Sequence, residues 1–146
     1  MRRTLLGTAV VALALLALAP AGTSEESVAP TLTVKSSSFG RVLFDGRGYG
    51  LYAFTRDAHG RSACYGACAK AWPVYYAKGI LRVGTGLRRS LLGTTRRRDG
   101  RLQITYAGRP LYYYVGDTKP GAVLCQNVKE YGGLWLVVRG AGTLVR

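Results

Sequence analysis

The chain has 146 residues and a formal net charge of +14 at pH 7, with 20 glycines, 3 cysteines and 1 histidine. The length allows one domain with a modest core, and the sequence contains no phosphate-binding loop, dinucleotide fingerprint or calcium loop, which excludes those classes. The strong positive charge favours acidic binding partners, because it attracts them over a distance of about one Debye length.

The N-terminus has the pattern of a secretory signal peptide. Met1-Arg2-Arg3 precedes an apolar run from Leu5 to Ala19, and Ala19-Pro20-Ala21 is a small-x-small cleavage pattern. The run has about fifteen residues, fewer than the roughly twenty that cross a bilayer. We therefore predict a signal peptide at residues 1–21 and a secreted, extracytoplasmic protein. The alternative is an uncleaved N-terminal anchor helix.

Residues 22–33 contain Ser, Thr, Pro and two glutamates, and they are predicted to form a linker before the domain at residues 34–146. Without the signal peptide, nineteen basic residues stand against seven acidic ones, a net charge of +12. Acidic cell-wall polymers or an anionic membrane surface are the expected partners. Nucleic acid is not expected, because the basic residues are scattered. Only Arg96–Arg101 forms a cluster, which we interpret as a solvated basic hairpin.

Short apolar runs are separated by glycine-containing turns about every ten residues, a rhythm typical of mainly β proteins. We predict one hairpin in which Arg41–Phe44 pairs with Gly50–Thr55. A second hairpin is predicted to pair Arg101–Tyr106 with Leu111–Val115.

Three further elements follow from local patterns. Asp99-Gly100 is predicted to form a tight turn, and Leu134–Val138 an apolar strand. Tyr65–Trp72 is predicted to be a short helical turn, because Ala, Cys and Lys dominate there and Pro73 follows.

One short pattern occurs twice in the chain. Leu51–Asp57 (LYAFTRD) reappears as Leu111–Asp117 (LYYYVGD), and a cysteine and then a tryptophan follow each copy. A repeat of this kind dictates architecture, because two copies can bury together what neither buries alone. We predict two pseudo-symmetric antiparallel β repeats packed as one domain, at about residues 39–78 and 92–138.

An aromatic pair recurs on the same face of both copies. Strand alternation places Tyr52 and Phe54 on one face of the first copy, and Tyr112 and Tyr114 on the matching face of the second. We interpret these rings as a core between two small sheets, with hydroxyls at the rim. The alternative is an aromatic platform for a ligand.

The two copies, Leu51–Asp57 and Leu111–Asp117, together with the cysteine and tryptophan that follow each, closely resemble a bacterial secreted repeat family. This family carries the motif Y-x-[FWY]-x-x-D. The resemblance implies an envelope or secreted protein built of tandem repeats, often a lipoprotein, with no established biochemical function. This chain departs from many members because no cysteine precedes Cys64, so no lipid anchor is expected. The motif residues are Tyr52, Phe54, Asp57, Trp72, Tyr112, Tyr114, Asp117 and Trp135.

The three cysteines predict one disulfide and one free thiol in an exported chain. Cys64 and Cys68 lie four residues apart, so a bridge between them requires a loop or distorted turn, which Gly66 allows. A bridge from Cys125 to either one would join the two repeats and remains an alternative. The repeat makes Cys125 the counterpart of Cys64.

A metal or redox site is the competing hypothesis. Cys64, Cys68 and His59 could supply two sulfurs and one imidazole, a donor set suited to Cu(I), with Asp57 supporting the histidine. His59 also lies in a glycine-flanked turn, where a solvated side chain is the simpler interpretation.

Enzymatic activity is not expected. There is no Gly-x-Ser-x-Gly motif, and the repeated pair Asp57 and Asp117 would have to supply most of a carboxylate pair for glycoside cleavage. Each of these aspartates ends a strand, so we interpret both as turn caps. We predict a secreted, envelope-associated binding or structural module without a cofactor. The alternative is an extracytoplasmic thiol protein that binds copper or exchanges electrons through Cys64 and Cys68.

Overall fold

The computed structural model describes residues 31–146. The predicted signal peptide and most of the predicted linker lie outside these residues. The first strand includes Leu32 and Thr33, so regular structure begins slightly before the predicted domain start at residue 34. Within the described chain, no helix is long and apolar enough to cross a membrane.

The predicted mainly β class is confirmed. Residues 31–146 form small antiparallel sheets, one short α-helix and one 3-10 turn at Arg89–Leu91. The elements are β1 (Leu32–Ser37), β2 (Gly40–Asp45), β3 (Tyr52–Phe54), α1 (Ala67–Ala71), β4 (Leu92–Arg96), β5 (Leu102–Tyr106), β6 (Arg109–Pro110), β7 (Val128–Glu130) and β8 (Gly133–Val137).

Three sheets contain these strands. β1 pairs with β2, β3 with β8 and β8 with β7, and β5 lies between β4 and β6; every pairing is antiparallel. The predicted apolar strand at Leu134–Val138 corresponds to β8, and the predicted turn at Asp99-Gly100 joins β4 to β5.

The two repeats are interleaved rather than placed side by side. Tyr52 of the first repeat pairs with Val137 of the second, and Tyr112 of the second forms the matching bridge with Val74 of the first. The next backbone bonds repeat this exchange. Leu43 N–H donates to the Val138 carbonyl at 2.9 Å, and Ile104 N–H donates to the Tyr75 carbonyl at 2.8 Å. Each repeat therefore completes the sheets of the other.

This exchange explains why both predicted hairpins are only partly right. Arg41–Phe44 and Gly50–Thr55 meet only beside their turn, where Phe44 bridges Gly50, and β3 then pairs with β8. In the second predicted hairpin β5 pairs with β6, but Leu111–Val115 is not a continuous strand. In both copies the segment after the turn leaves its neighbour because it pairs with the other repeat.

The short helix forms where it was predicted, within Tyr65–Trp72. Gly66 immediately precedes α1 with φ 56° and ψ −126°, a conformation that a side chain would disfavour. The last turn ends at Trp72, whose N–H donates to the Cys68 carbonyl at 2.8 Å. Gly66 thus turns the chain sharply between the two cysteines that flank it.

Strand alternation assigns the core residues as predicted. Tyr52, Phe54 and Tyr112 lie in one buried cluster, and Tyr114 packs against it. The residues between them point to the opposite side. Leu51, Ala53 and Leu111 belong to a second buried cluster there, and Tyr113 packs against it.

Candidate functional site

The centre of the molecule is a local twofold arrangement about Tyr52 and Tyr112. Tyr52 N–H donates to the Tyr112 carbonyl at 2.9 Å, and Tyr112 N–H donates to the Tyr52 carbonyl at 2.9 Å. The two matching residues of the repeat are therefore each other's backbone partners, and the pseudo-twofold axis passes between them.

The aspartates of the motif bind the tyrosines of the opposite repeat. The Tyr52 hydroxyl donates to Asp117 Oδ2 at 2.7 Å, and the Tyr112 hydroxyl donates to Asp57 Oδ2 at 2.9 Å. These reciprocal contacts give the spacing Y-x-x-x-x-D a physical purpose, since each copy supplies a donor and an acceptor to the other.

The same carboxylates also hold the following turns. Asp57 Oδ1 accepts the Ala63 N–H at 2.7 Å, and Asp117 Oδ1 accepts the Leu124 N–H at 3.0 Å. In both copies the donor immediately precedes a cysteine, so Cys125 occupies the place of Cys64. The aspartates thus act as turn caps, as predicted, and in addition they join the repeats, a role that the sequence pattern of one copy does not indicate.

Two stacked tryptophans lie beside this axis. The ring centroids of Trp72 and Trp135 are 4.0 Å apart with an interplanar angle of 1°. Phe54 stacks on Trp135 at 4.3 Å, and Tyr114 lies against Trp72 at 4.9 Å, so each tryptophan meets an aromatic residue of the other repeat. The rings form a packed core, because both indoles are fully buried.

A glycine permits this aromatic packing. A Cβ at Gly133 would lie 2.6 Å from Phe54 Cε2, which is too close for any side chain without moving the ring. The glycine before Leu134 and Trp135 therefore allows β8 to approach the stacked rings.

Burial sets the protonation of these groups. It raises the pKa of the Tyr52 and Tyr112 hydroxyls well above the ordinary value, with the neighbouring carboxylates adding to the shift. Both phenols therefore remain protonated donors at neutral pH. Burial also raises the pKa of Asp57 to about 6, against the opposing effects of the Ala63 amide and the Tyr112 hydroxyl.

The structure joins Cys64 and Cys68 in a disulfide and leaves Cys125 as a half-buried thiol. The bridge closes across the turn at Gly66, so it lies within the first repeat and does not link the two. Burial raises the pKa of the Cys125 thiol, against the effect of a hydrogen bond with Tyr114. Burial thus disfavours the thiolate form of Cys125.

The donor set proposed for copper is not assembled. Both sulfurs of Cys64 and Cys68 are bonded to each other, so neither is a thiolate ligand. His59 instead packs over Gly108, where it leaves no room for a Cβ. Among residues 31–146 there is no group of three or more His, Cys, Asp or Glu side chains that could hold a metal ion.

One arginine of the predicted basic hairpin is buried, which corrects the prediction that the whole cluster is solvated. Arg97 is 5% exposed and donates to Ser62 Oγ at 2.7 Å, to Gln103 Oε1 at 2.8 Å and to the Cys64 carbonyl at 2.6 Å. Its guanidinium also lies 4.2 Å from the centre of the Tyr65 ring. These acceptors are uncharged, and they tie the disulfide loop to the β4–β5 turn.

A second buried carboxylate network surrounds Asp45, which is 2% exposed. Asp45 accepts the backbone N–H groups of Arg47 and Tyr49 at 2.9 Å each. It also accepts Arg47 Nε and the Tyr113 hydroxyl, both at 3.0 Å. Asp45 and its partner Tyr113 are distant in sequence, and no local pattern connects the two.

This network forms one wall of an open cavity of about 550 Å³. Tyr75 and Tyr76 form a second wall, and the loop that carries Lys78 and Ile80 closes the rim. The volume lies within the range of about 300–1,000 Å³ that is typical of ligand pockets.

The charges of the described residues are distributed unequally between interior and surface. Nineteen lysines and arginines stand against five acidic residues in residues 31–146. Every one of the five carboxylates has a partner within the fold. Asp45, Asp57 and Asp117 hold the groups already described, Glu130 accepts Trp72 Nε1 at 2.9 Å, and Asp99 accepts Arg101 Nη2 at 2.7 Å.

Comparison with known proteins agrees with the duplicated geometry. The family described as a secreted repeat of unknown function, Lipoprotein_15, matches the chain twice, at residues 33–75 and 93–139. Both copies contain the tyrosine, aspartate and tryptophan of the axis. Searches of curated proteins and of solved structures found no match. The chain therefore belongs to the family of secreted repeats of unknown function and carries two copies of the repeat.

Proposed function

We propose that this protein is a secreted, envelope-associated binding module without enzymatic activity, which is held to acidic envelope polymers by its basic surface. The observation that carries the proposal is the excess of nineteen lysines and arginines over five acidic residues in residues 31–146. Three of these acidic residues, Asp45, Asp57 and Asp117, are buried or half-buried. Because the basic residues outnumber the acidic ones and only Asp99 and Glu130 of the acidic residues in this range are exposed, the exposed arginines and lysines produce a net positive field.

The placement of Asp57 and Asp117 supports a structural role rather than catalysis. Each carboxylate is occupied by a tyrosine hydroxyl from the other repeat and by a backbone amide of the following turn. These contacts use both oxygens of each carboxylate. The pair is thus committed to joining the repeats, and the binding function falls to the surface.

The experiment is cosedimentation of the purified protein with envelope preparations that contain or lack anionic polymers, over a range of NaCl concentrations. The Debye length falls from about 10 Å at 0.1 M salt to about 3 Å at 1 M, so retention should decline steeply over this range. Vesicles with anionic and with neutral headgroups distinguish a membrane surface from a wall polymer.

A matched pair of variants tests whether charge is responsible. Arg41, Arg61 and Arg88 are exposed. Changing all three to Gln should reduce retention at low salt several-fold, whereas changing all three to Lys should leave it near the wild-type level. Salt-independent retention, or equal loss in the Gln and Lys variants, would contradict the proposal.

A further inference from the structure

Most residues that line the cavity beside Asp45 come from the first half of the chain, and Tyr113 comes from the second repeat. Equivalent backbone hydrogen bonds show which residues of the two copies correspond. Leu51 N–H donates to the Leu43 carbonyl at 3.1 Å, and Leu111 N–H donates to the Ile104 carbonyl at 3.0 Å, so Leu43 corresponds to Ile104. In this alignment the counterparts of Asp45, Tyr75 and Tyr113, each in the opposite copy, are Tyr106, Val138 and Ala53.

The equivalent place on the other side of the pseudo-twofold axis is filled with buried side chains. Tyr106, Val138 and Ala53 are 0%, 0% and 3% exposed and belong to the second core cluster. The open, polar and aromatic cavity is therefore a departure from the repeat and not a by-product of the duplication.

Asp45 positions the groups that face this cavity. Its buried carboxylate receives the Tyr113 hydroxyl and Arg47 Nε, while the Arg47 side chain itself is 72% exposed. The Nε contact fixes the guanidinium at the cavity wall and leaves its Nη groups able to donate to a ligand. Asp45 and Arg47 form an ion pair, so their charges offset each other and Lys78 supplies the net positive charge at the cavity.

Two tyrosine rings supply an ordered apolar wall. The Tyr75 hydroxyl donates to the Thr31 carbonyl at 2.6 Å, and the rings of Tyr75 and Tyr113 meet edge to face at 5.2 Å. Burial raises the pKa of Tyr75 to about 12, so its hydroxyl stays protonated at neutral pH. Rings that are held in this way present an apolar surface at little further cost in entropy.

The rim adds an aromatic residue, a cation and an exposed apolar residue. Tyr76 is half-buried, Lys78 is exposed, and Ile80 is 75% exposed. Aromatic walls pack against the C–H face of a sugar ring, whereas Arg47 and Lys78 require a negative group within reach of that ring.

We propose that this cavity binds a carboxylate-bearing sugar unit of an acidic polysaccharide, with the ring against Tyr75 and Tyr76 and the carboxylate toward Arg47 and Lys78. This proposal rests on the proposed function and names the class of polymer that the module recognises. A linear polyphosphate matches the charge but lacks the ring, and a neutral oligosaccharide has the ring but lacks the charge.

The test is calorimetric titration of the folded protein with trigalacturonic acid, at 50 mM and 150 mM NaCl. Lys78→Gln and Tyr76→Ala should each weaken binding about tenfold. Lys129→Gln and Tyr131→Ala make the same changes at exposed positions outside the cavity and should bind within about twofold of wild type. Thermal melts of all four variants show which of them are folded.

Lys78→Gln is the decisive variant, because an exposed lysine can be changed without disturbing the core. The proposal is supported if Lys78→Gln and Tyr76→Ala weaken the binding of trigalacturonic acid while the two control variants do not, and if neutral trigalactose binds little. Equal affinity of the cavity and control variants would overturn the cavity assignment, and equal affinity for trigalactose would overturn the role of the carboxylate.

Retention on long-chain polyphosphate separates this proposal from the proposed function. If all variants retain salt-sensitive binding to polyphosphate but none binds trigalacturonic acid, the basic surface stands and the sugar site is wrong. If wild-type protein fails to bind polyphosphate at 50 mM NaCl, the basic-surface function is itself wrong.

Discussion

Tyr52→Phe removes a single hydroxyl from the contact that joins the two repeats. The Tyr52 side chain is fully buried, and its hydroxyl donates to Asp117 Oδ2 at 2.7 Å. Phenylalanine fills the same space, so the substitution leaves the ring packing against Trp72 in place. The hydroxyl also accepts the Cys125 N–H at 3.4 Å, so the measured effect reports these hydrogen bonds rather than a cavity.

The expected cost follows from burial. A hydrogen bond to a charged group contributes about 1.5–3 kcal/mol, and without it Asp117, which is 6% exposed, keeps only the Leu124 amide. We expect Tyr52→Phe to lower the free energy of unfolding by about 2–3 kcal/mol. Tyr112→Phe should cost a similar amount, about 2–3 kcal/mol, because the lost hydroxyl contacts the buried Ser62 Oγ at 2.6 Å as well as half-buried Asp57.

Urea denaturation measures both effects as changes in midpoint at constant slope. A double-mutant cycle of Tyr52→Phe with Asp117→Asn should give a coupling of at least about 1 kcal/mol. Tyr131→Phe is the control, since Tyr131 is 43% exposed, and it should stay within about 0.5 kcal/mol of wild type. A Tyr52→Phe effect as small as the control, or additive effects in the cycle, would refute the role assigned to this pair.

Three further predictions address the disulfide, the buried arginine and pH. Replacing Cys64 and Cys68 by Ser should lower the free energy of unfolding by about 2 kcal/mol in urea titrations, because the closed loop is short; no loss would contradict this bridge. Arg97→Lys should destabilise by about 2–4 kcal/mol, since an ammonium cannot reproduce the three hydrogen bonds of the guanidinium; wild-type stability would argue against its burial. The raised pKa of Asp57, about 6 in the folded state against 3.8 ordinarily, means that the folded state binds this proton more tightly, so stability should fall as pH rises from about 4 to 6. Asp57→Asn should flatten this part of the profile, and an unchanged slope would show that another group is responsible.

Much of the fold could be predicted because strand alternation and turn residues act locally. The two faces of the repeated segment, the strand at Leu134–Val138 and the helical turn before Pro73 follow from spacing alone. The hairpins were only partly right, because their strands pair across the repeats. A local pattern identifies a strand but not which distant strand completes its hydrogen bonds.

The cross-repeat contacts were accessible only in part from the sequence. The duplication indicated that Asp57 and Asp117 do the same task, and their position before a turn indicated capping. Their bonds to Tyr112 and Tyr52 join residues that are distant in sequence. The sequence of one copy does not show whether its tyrosine bonds the aspartate of the same copy or that of the other copy.

The burial of Arg97 could not be predicted for a related reason. It stands among exposed arginines, and its acceptors are an uncharged hydroxyl, an amide and a carbonyl rather than a carboxylate. A run of basic residues is usually solvated. Only the folded disulfide loop brings Ser62 and the Cys64 carbonyl within reach of this side chain.

If the repeats complete each other as described, neither can fold alone. The most direct measurement is near-UV circular dichroism of two fragments, residues 31–86 and 87–146, separately and as an equimolar mixture. Each fragment contains one tryptophan of the stacked pair, Trp72 or Trp135. We predict that the native near-UV signal is absent from each fragment and returns on mixing. A native signal from either fragment alone would contradict the interleaved arrangement.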